Sequence, residues 1–276
     1  MAVNMLAFVD RSSPIHRLSG ATKFLCFIMW SLAGMLTYDT RVLLFMLVAS
    51  LIIFTVSKIK VKEVSFVLLF IFLFLLLNDI AIFIFSPLEG VKIYGTKHVL
   101  FHIAGQYDVT VEQLFYELNI TLKYFSIIPA ALLFIKTTNP SEFASSLNRI
   151  GVSYRVAFAV AIALRYIPDI QRDFQTIAHA QQARGIDMSR KETIFKRAKN
   201  ALAIVLPLIF SSLERIETIS NVMDLRGFGK HKKRTWYSAR PFKKSDYIAL
   251  ITVVALFTVS MLVTFYDGSR FYNPFV

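Results

Sequence analysis

Ile177-Ala178-His179-Ala180-Gln181-Gln182-Ala183-Arg184-Gly185 and Ile219-Ser220-Asn221-Val222-Met223-Asp224-Leu225-Arg226-Gly227 are two copies of one pattern, with Ile, Arg and Gly in register. Each copy ends about five turns after a proline, Pro168 or Pro207, at ~3.6 residues per turn, with no other proline or glycine between. Glycine enters the left-handed region at little steric cost, so Gly185 and Gly227 are predicted just past a last helical turn. Arg184 and Arg226 then sit at the negative end of a helix dipole, where a cation is favoured by up to ~1 kcal/mol. A basic residue before a capping glycine is also ordinary helix punctuation. Two copies in one chain argue for more, because a guanidinium presents a rigid fork of donors suited to a partner's carboxylates or carbonyls. The stretch reads as two long helices, each ending in a projecting arginine.

The rest of the chain is that of an integral membrane protein. Of its 276 residues 55% are hydrophobic and 26 are Phe, and apolar runs of near-spanning length recur. The net charge of +13 reflects basic loops facing anionic lipid rather than nucleic acid. Cys26 is the one cysteine and lies in an apolar run, which excludes intrachain disulfides and cysteine-rich metal sites. The first apolar run follows a polar stretch and is succeeded by others, so no cleaved secretory signal is expected.

Five spans are expected, over about 24–37, 42–57, 64–85, 118–135 and 247–265. A basic flank with Arg11, His16, Arg17 and Lys23 precedes the first span, and Lys58, Lys60 and Lys62 form a compact basic loop after the second. The third carries Asp79, and two readings stand for it: a carboxylate facing protein interior, or one hydrated near the outer interface. Ser86 to Glu117 reads as an acidic outer loop. Its His98 and His102 have the spacing of a helix-borne metal pair but no third ligand, so they read as ordinary loop histidines and no metal is expected. From Lys136 to Asp246 there are twenty Lys and Arg against nine Asp and Glu, which assigns that region, and the N-terminus, to the cytoplasm. Within it Pro140 starts a short amphipathic helix ending at Arg149. Two apolar stretches, 156–167 and 201–213, are too short to span alone. They read as the apolar ends of two long helices at the inner leaflet, or alternatively as two short spans. Pro168 and Pro207 are expected to kink these helices. The basic tail from Lys230 to Lys244, with Trp236 and Tyr237, faces lipid headgroups. The expected fold is an all-α membrane protein of three parts: a bundle of about four spans over 1–136, a cytoplasmic helical region over 137–246, and a last span with outer tail over 247–276.

Ala183-Arg184-Gly185 and Leu225-Arg226-Gly227 resemble the paired Ala-Arg-Gly signatures of the transmembrane T component (EcfT) of energy-coupling factor transporters, a branch of the ABC importers. Leu225 stands where alanine is usual. Ser13-Pro14-Ile15-His16-Arg17-Leu18 with Thr22-Lys23, Thr137-Thr138-Asn139-Pro140-Ser141-Glu142, and Leu164-Arg165-Tyr166-Ile167-Pro168 resemble the same family, so the likeness extends over nearly the whole chain. The resemblance implies a multi-pass scaffold in a bacterial plasma membrane, without catalysis or cofactor of its own. Its long cytoplasmic coupling helices would cross near the inner leaflet. Its implied partners are two ABC-type ATPase subunits, docked on Arg184 and Arg226, and a substrate-binding S component for a vitamin or metal ion, seated on the apolar helix faces. Pro168 and Pro207 would serve as hinges.

Two other classes are weighed. A membrane-embedded enzyme needs clustered catalytic side chains at depth, whereas the five histidines are scattered and no His-Glu-x-x-His or phosphate-binding loop occurs. An autonomous secondary transporter would place its repeats across the membrane, and this repeat lies in a basic segment.

Overall fold

The computed structural model describes residues 11–104, 107–186, 194–231, 235–236, 240–266 and 268–275. Of the basic tail, Lys232, Lys233, Arg234 and Tyr237 lie outside the described residues. The chain divides into two compact units, 1–139 with 240–276, and 140–239. Sequence had drawn these boundaries after 136 and after 246.

The first unit holds helices α1 (Gly20–Leu36), α2 (Thr40–Val56), α3 (Ser65–Phe85), α4 (Glu89–Tyr94), α5 (Val111–Thr137) and α9 (Lys244–Phe265), and a hairpin of β1 (Val99–Ala104) and β2 (Tyr107–Thr110). Helices α3, α5 and α9 are long and apolar enough to cross a bilayer, while α1 and α2 are apolar helices of 17 residues each. Local chemistry sets the helix starts. Ser19, Asp39 and Thr110 each take a backbone N–H two or three residues on, at Thr22, Arg41 and Gln113, satisfying donors that have no partner within the helix.

Helix α5 packs against α1, α2, α3 and α4, and its small and polar residues let neighbours approach. Trp30, Ala33, Val42 and Met46 form one buried cluster; Phe54, Ile59, Val64 and Leu132 form another. Polar ties cross the bundle. The Trp30 indole donates to the Ser126 carbonyl (3.1 Å), Thr40 donates to Asn119 Oδ1 (2.7 Å), and the Thr37 and Thr264 hydroxyls lie 2.6 Å apart. Asp79 meets the Thr121 hydroxyl on α5 (2.9 Å), which favours the protein-facing reading of that carboxylate. Lys23, expected as a solvated flank, is 5% exposed and its ammonium donates to the Thr137 carbonyl at 2.7 Å. Its long stem lies among apolar groups while the charged end finds backbone oxygens.

The segment from 86 to 117 is folded, correcting the expected loop. Glu112 is fully buried and receives the His98 N–H (3.0 Å) and the Thr96 hydroxyl (2.9 Å), which fixes the approach to β1. His98 and His102 pair with Glu112 and Asp108 across the hairpin instead of sharing a helix face. The C-terminal segment packs at this end of the bundle, with Phe271 and Phe275 edge-on to Tyr94.

The second unit contains α6 (Pro140–Arg149), α7 (Tyr154–Ala183) and α8 (Ile194–Leu225). Each runs where the sequence expects it. Both long helices continue through their prolines.

Candidate functional site

The two copies of the repeat end α7 and α8 in the same way. Gly185 N–H bonds to the Gln182 carbonyl (2.9 Å) and Ile186 N–H to that of Gln181 (3.0 Å); Gly227 bonds to Asp224 (2.9 Å) and Phe228 to Met223 (2.9 Å). These are two Schellman caps, with the glycines at φ +85° and +65° and the arginine as the residue before each. The repeat is therefore a repeated cap. Arg184 and Arg226 are exposed, as are Ala183 and Leu225, and Leu225 is 88% exposed, an unusual state for a leucine.

Side-chain ties set the helices antiparallel. Gln181 Nε2 donates to the Ala203 carbonyl (3.1 Å), Arg215 bonds Asp173 (2.6 Å), and Phe158 packs on Phe228 at 4.8 Å between ring centroids. Residue numbers rise on one helix as they fall on the other. The two arginines consequently stand at opposite ends of a helical hairpin, ~45 Å apart for roughly 30 residues at ~1.5 Å each. Both tips are legible in the sequence, and their separation is not.

The first tie has a backbone cause. Pro207 has no N–H, so the carbonyl four residues earlier, that of Ala203, lacks its helical partner. Gln181 supplies one. Its amide thus joins the helix end bearing Arg184 to α8 one turn before Pro207. Pro168 and Pro207 are both exposed on the helix surfaces.

The two tips differ in support. Around Arg226, Tyr154, Phe158, Phe228 and Trp236 form a ring cluster, Trp236 Nε1 donates to Asn148 Oδ1 (3.1 Å), and Arg155 donates to the Gly229 carbonyl (3.3 Å). Phe228 is the residue after the capping glycine, a position that commonly makes a hydrophobic contact, so its role was legible. Gln181, Asp173 and Arg215 carried no local signal. Gly185 faces open space.

Between the ends, the hairpin exposes Val156, Ile167, Phe174, Leu206, Phe210 and Leu213. Among the described residues no group of three or more His, Cys, Asp or Glu could hold a metal ion.

The cobalt transport protein family (CbiQ) matches residues 11–237. An energy-coupling factor transporter transmembrane protein EcfT from Leuconostoc gelidum is 30% identical over 268 residues, covering 91% of this chain and 94% of the relative. The chain belongs to this family. EcfT proteins of Macrococcus caseolyticus and Lactococcus lactis are each 25% identical, covering 90% and 92% of this chain and 93% and 95% of the relatives. A match of that length includes both helix caps, so the paired arginines sit within a transporter transmembrane component.

Proposed function

We propose that this chain is the scaffold of an energy-coupling factor importer, using α7 and α8 to couple two cytoplasmic ABC-type ATPases to an S component in the membrane. The observation that carries the reading is the pair of identically capped, exposed arginines at opposite ends of one hairpin. Two separated tips suit two separate ATPase subunits, one per arginine. The apolar surface between them suits the S component, which selects the vitamin or metal ion. Closure of the ATPases on ATP draws the tips together, and Pro168 and Pro207 take up the bending. The excess of Lys and Arg after residue 136 orients the multi-pass chain with its N-terminus and hairpin in the cytoplasm of a bacterial cell. Catalysis resides in the partners, and the chain needs no cofactor.

The test is Arg184→Glu with Arg226→Glu, followed by affinity purification in mild detergent. Interface arginines at hot spots contribute about 2 kcal/mol or more each, so reversing both removes the ATPases from the purified complex. Insertion and yield of the chain itself stay at wild-type levels, because both side chains are exposed. ATPases retained at wild-type stoichiometry refute the anchoring role.

A further inference from the structure

A cavity of about 270 Å³ opens between α1, α2, α5 and α9. It runs from Lys23 to Trp30 along α1 and from Ala249 to Leu256 along α9, about 10 Å at 1.5 Å per residue. Its walls are mostly apolar, and two of the polar groups it touches are turned to backbone: the Ser50 hydroxyl donates to the Leu47 carbonyl (2.8 Å) and the Trp30 indole to that of Ser126. Ordered water needs two to four polar partners and finds few here.

The mouth is basic. Lys23 lines it, and the His16 carbonyl there receives both Lys23 Nζ (3.4 Å) and Arg240 Nη1 (3.4 Å). Asp246 ties the same two segments, taking the N–H groups of Ser19 (2.8 Å) and Lys243 (2.8 Å), so its carboxylate is spent on backbone donors. Arg17, Arg240 and Lys243 are exposed around this rim. An apolar slot about two thirds of a leaflet deep, beneath a cluster of cations at the interface, has the chemistry of one lipid.

We infer that the cavity holds one acyl chain of an anionic phospholipid, with the headgroup phosphate at the rim of Arg17 and Arg240. The site belongs to the bundle and is independent of the ATPase reading; only the naming of its leaflet as the inner one rests on the proposed orientation. Its occupant makes part of the bundle interior and ties α9 to α1.

The test uses the full-length chain, extracted in mild detergent, washed free of bulk lipid and weighed by native mass spectrometry. One phospholipid per chain is retained, enriched in anionic headgroups by about fivefold, the effect of a single basic residue at a membrane surface. Ala130→Trp, which fills the slot from α5, abolishes that retention. Cys26, the chain's one cysteine, lines the slot and gives a second readout in the unaltered protein. Its reaction with N-ethylmaleimide accelerates on delipidation and slows again when phosphatidylglycerol, but not phosphatidylcholine, is returned. The inference is overturned by retention unchanged in the Trp variant, by a free fatty acid or detergent in the lipid's place, or by a Cys26 rate indifferent to lipid. Loss of ATPases in the double arginine variant with the lipid still bound separates the two proposals.

Discussion

Gln181→Leu, made in the wild type and beside Pro207→Ala, measures whether α7 and α8 are joined through the carbonyl that Pro207 leaves open. In the wild type the Ala203 carbonyl has the Gln181 amide as its partner at 3.1 Å, in a half-buried setting. Removing one partner leaves the other unsatisfied, which costs about 1–3 kcal/mol when buried and about 1 kcal/mol here. Pro207→Ala restores an N–H four residues after Ala203 and removes the ring's clash, stabilising α8 by up to ~3 kcal/mol. In that background the carbonyl is already bonded along the helix, so Gln181→Leu costs close to nothing. The coupling between the two substitutions is therefore about 1 kcal/mol, above the ~0.5 kcal/mol within which unrelated sites add. Thermal unfolding of the purified chain supplies the stabilities, and hydrogen exchange of amides 201–211 reports the helix locally. Additivity of the two substitutions, with unchanged exchange in α8, refutes the argument.

Gly90→Ala tests the close approach of α4 to α5. A Cβ there lies 2.4 Å from the Glu112 carbonyl oxygen and 2.6 Å from Gln113 N, and the Gly90 N–H donates to Gln113 Oε1 at 2.9 Å. Backbone cannot yield as a side chain can, so α4 separates from α5 at a cost of about 3 kcal/mol or more, read as a lower melting temperature; a wild-type melt contradicts the close approach. In the hairpin, hydrogen bonds from Lys97 and then His102 hold the Asp108 carboxyl below its usual range. A lowered folded-state value means this tie stabilises the hairpin above the ordinary Asp range and is lost as pH falls through the depressed value. Hydrogen-exchange protection over 99–110, corrected for intrinsic rates, declines in that acid window, and Asp108→Asn removes the decline. A decline persisting in the variant assigns it elsewhere.

Local chemistry was legible from the residues alone. Five apolar runs, the start at Pro140 and the glycine ends at 185 and 227 depend on neighbours a few positions away, and the helices follow them closely. The two arginines were found by the same means, since a cap is written within one turn.

What only the tertiary structure decided was which distant groups share a bond. Glu112 and Lys23 read as surface charges because their burial depends on partners at 96–98 and 137, and periodicity says nothing of these. The separation of Arg184 from Arg226 follows from antiparallel pairing of α7 and α8, fixed by Asp173 with Arg215 and by Gln181 with the carbonyl that Pro207 leaves open. A sequence records the proline and the glutamine. Only packing brings a donor 22 residues away to the acceptor that the proline set free, because bond geometry acts over ångströms in space, not positions along the chain.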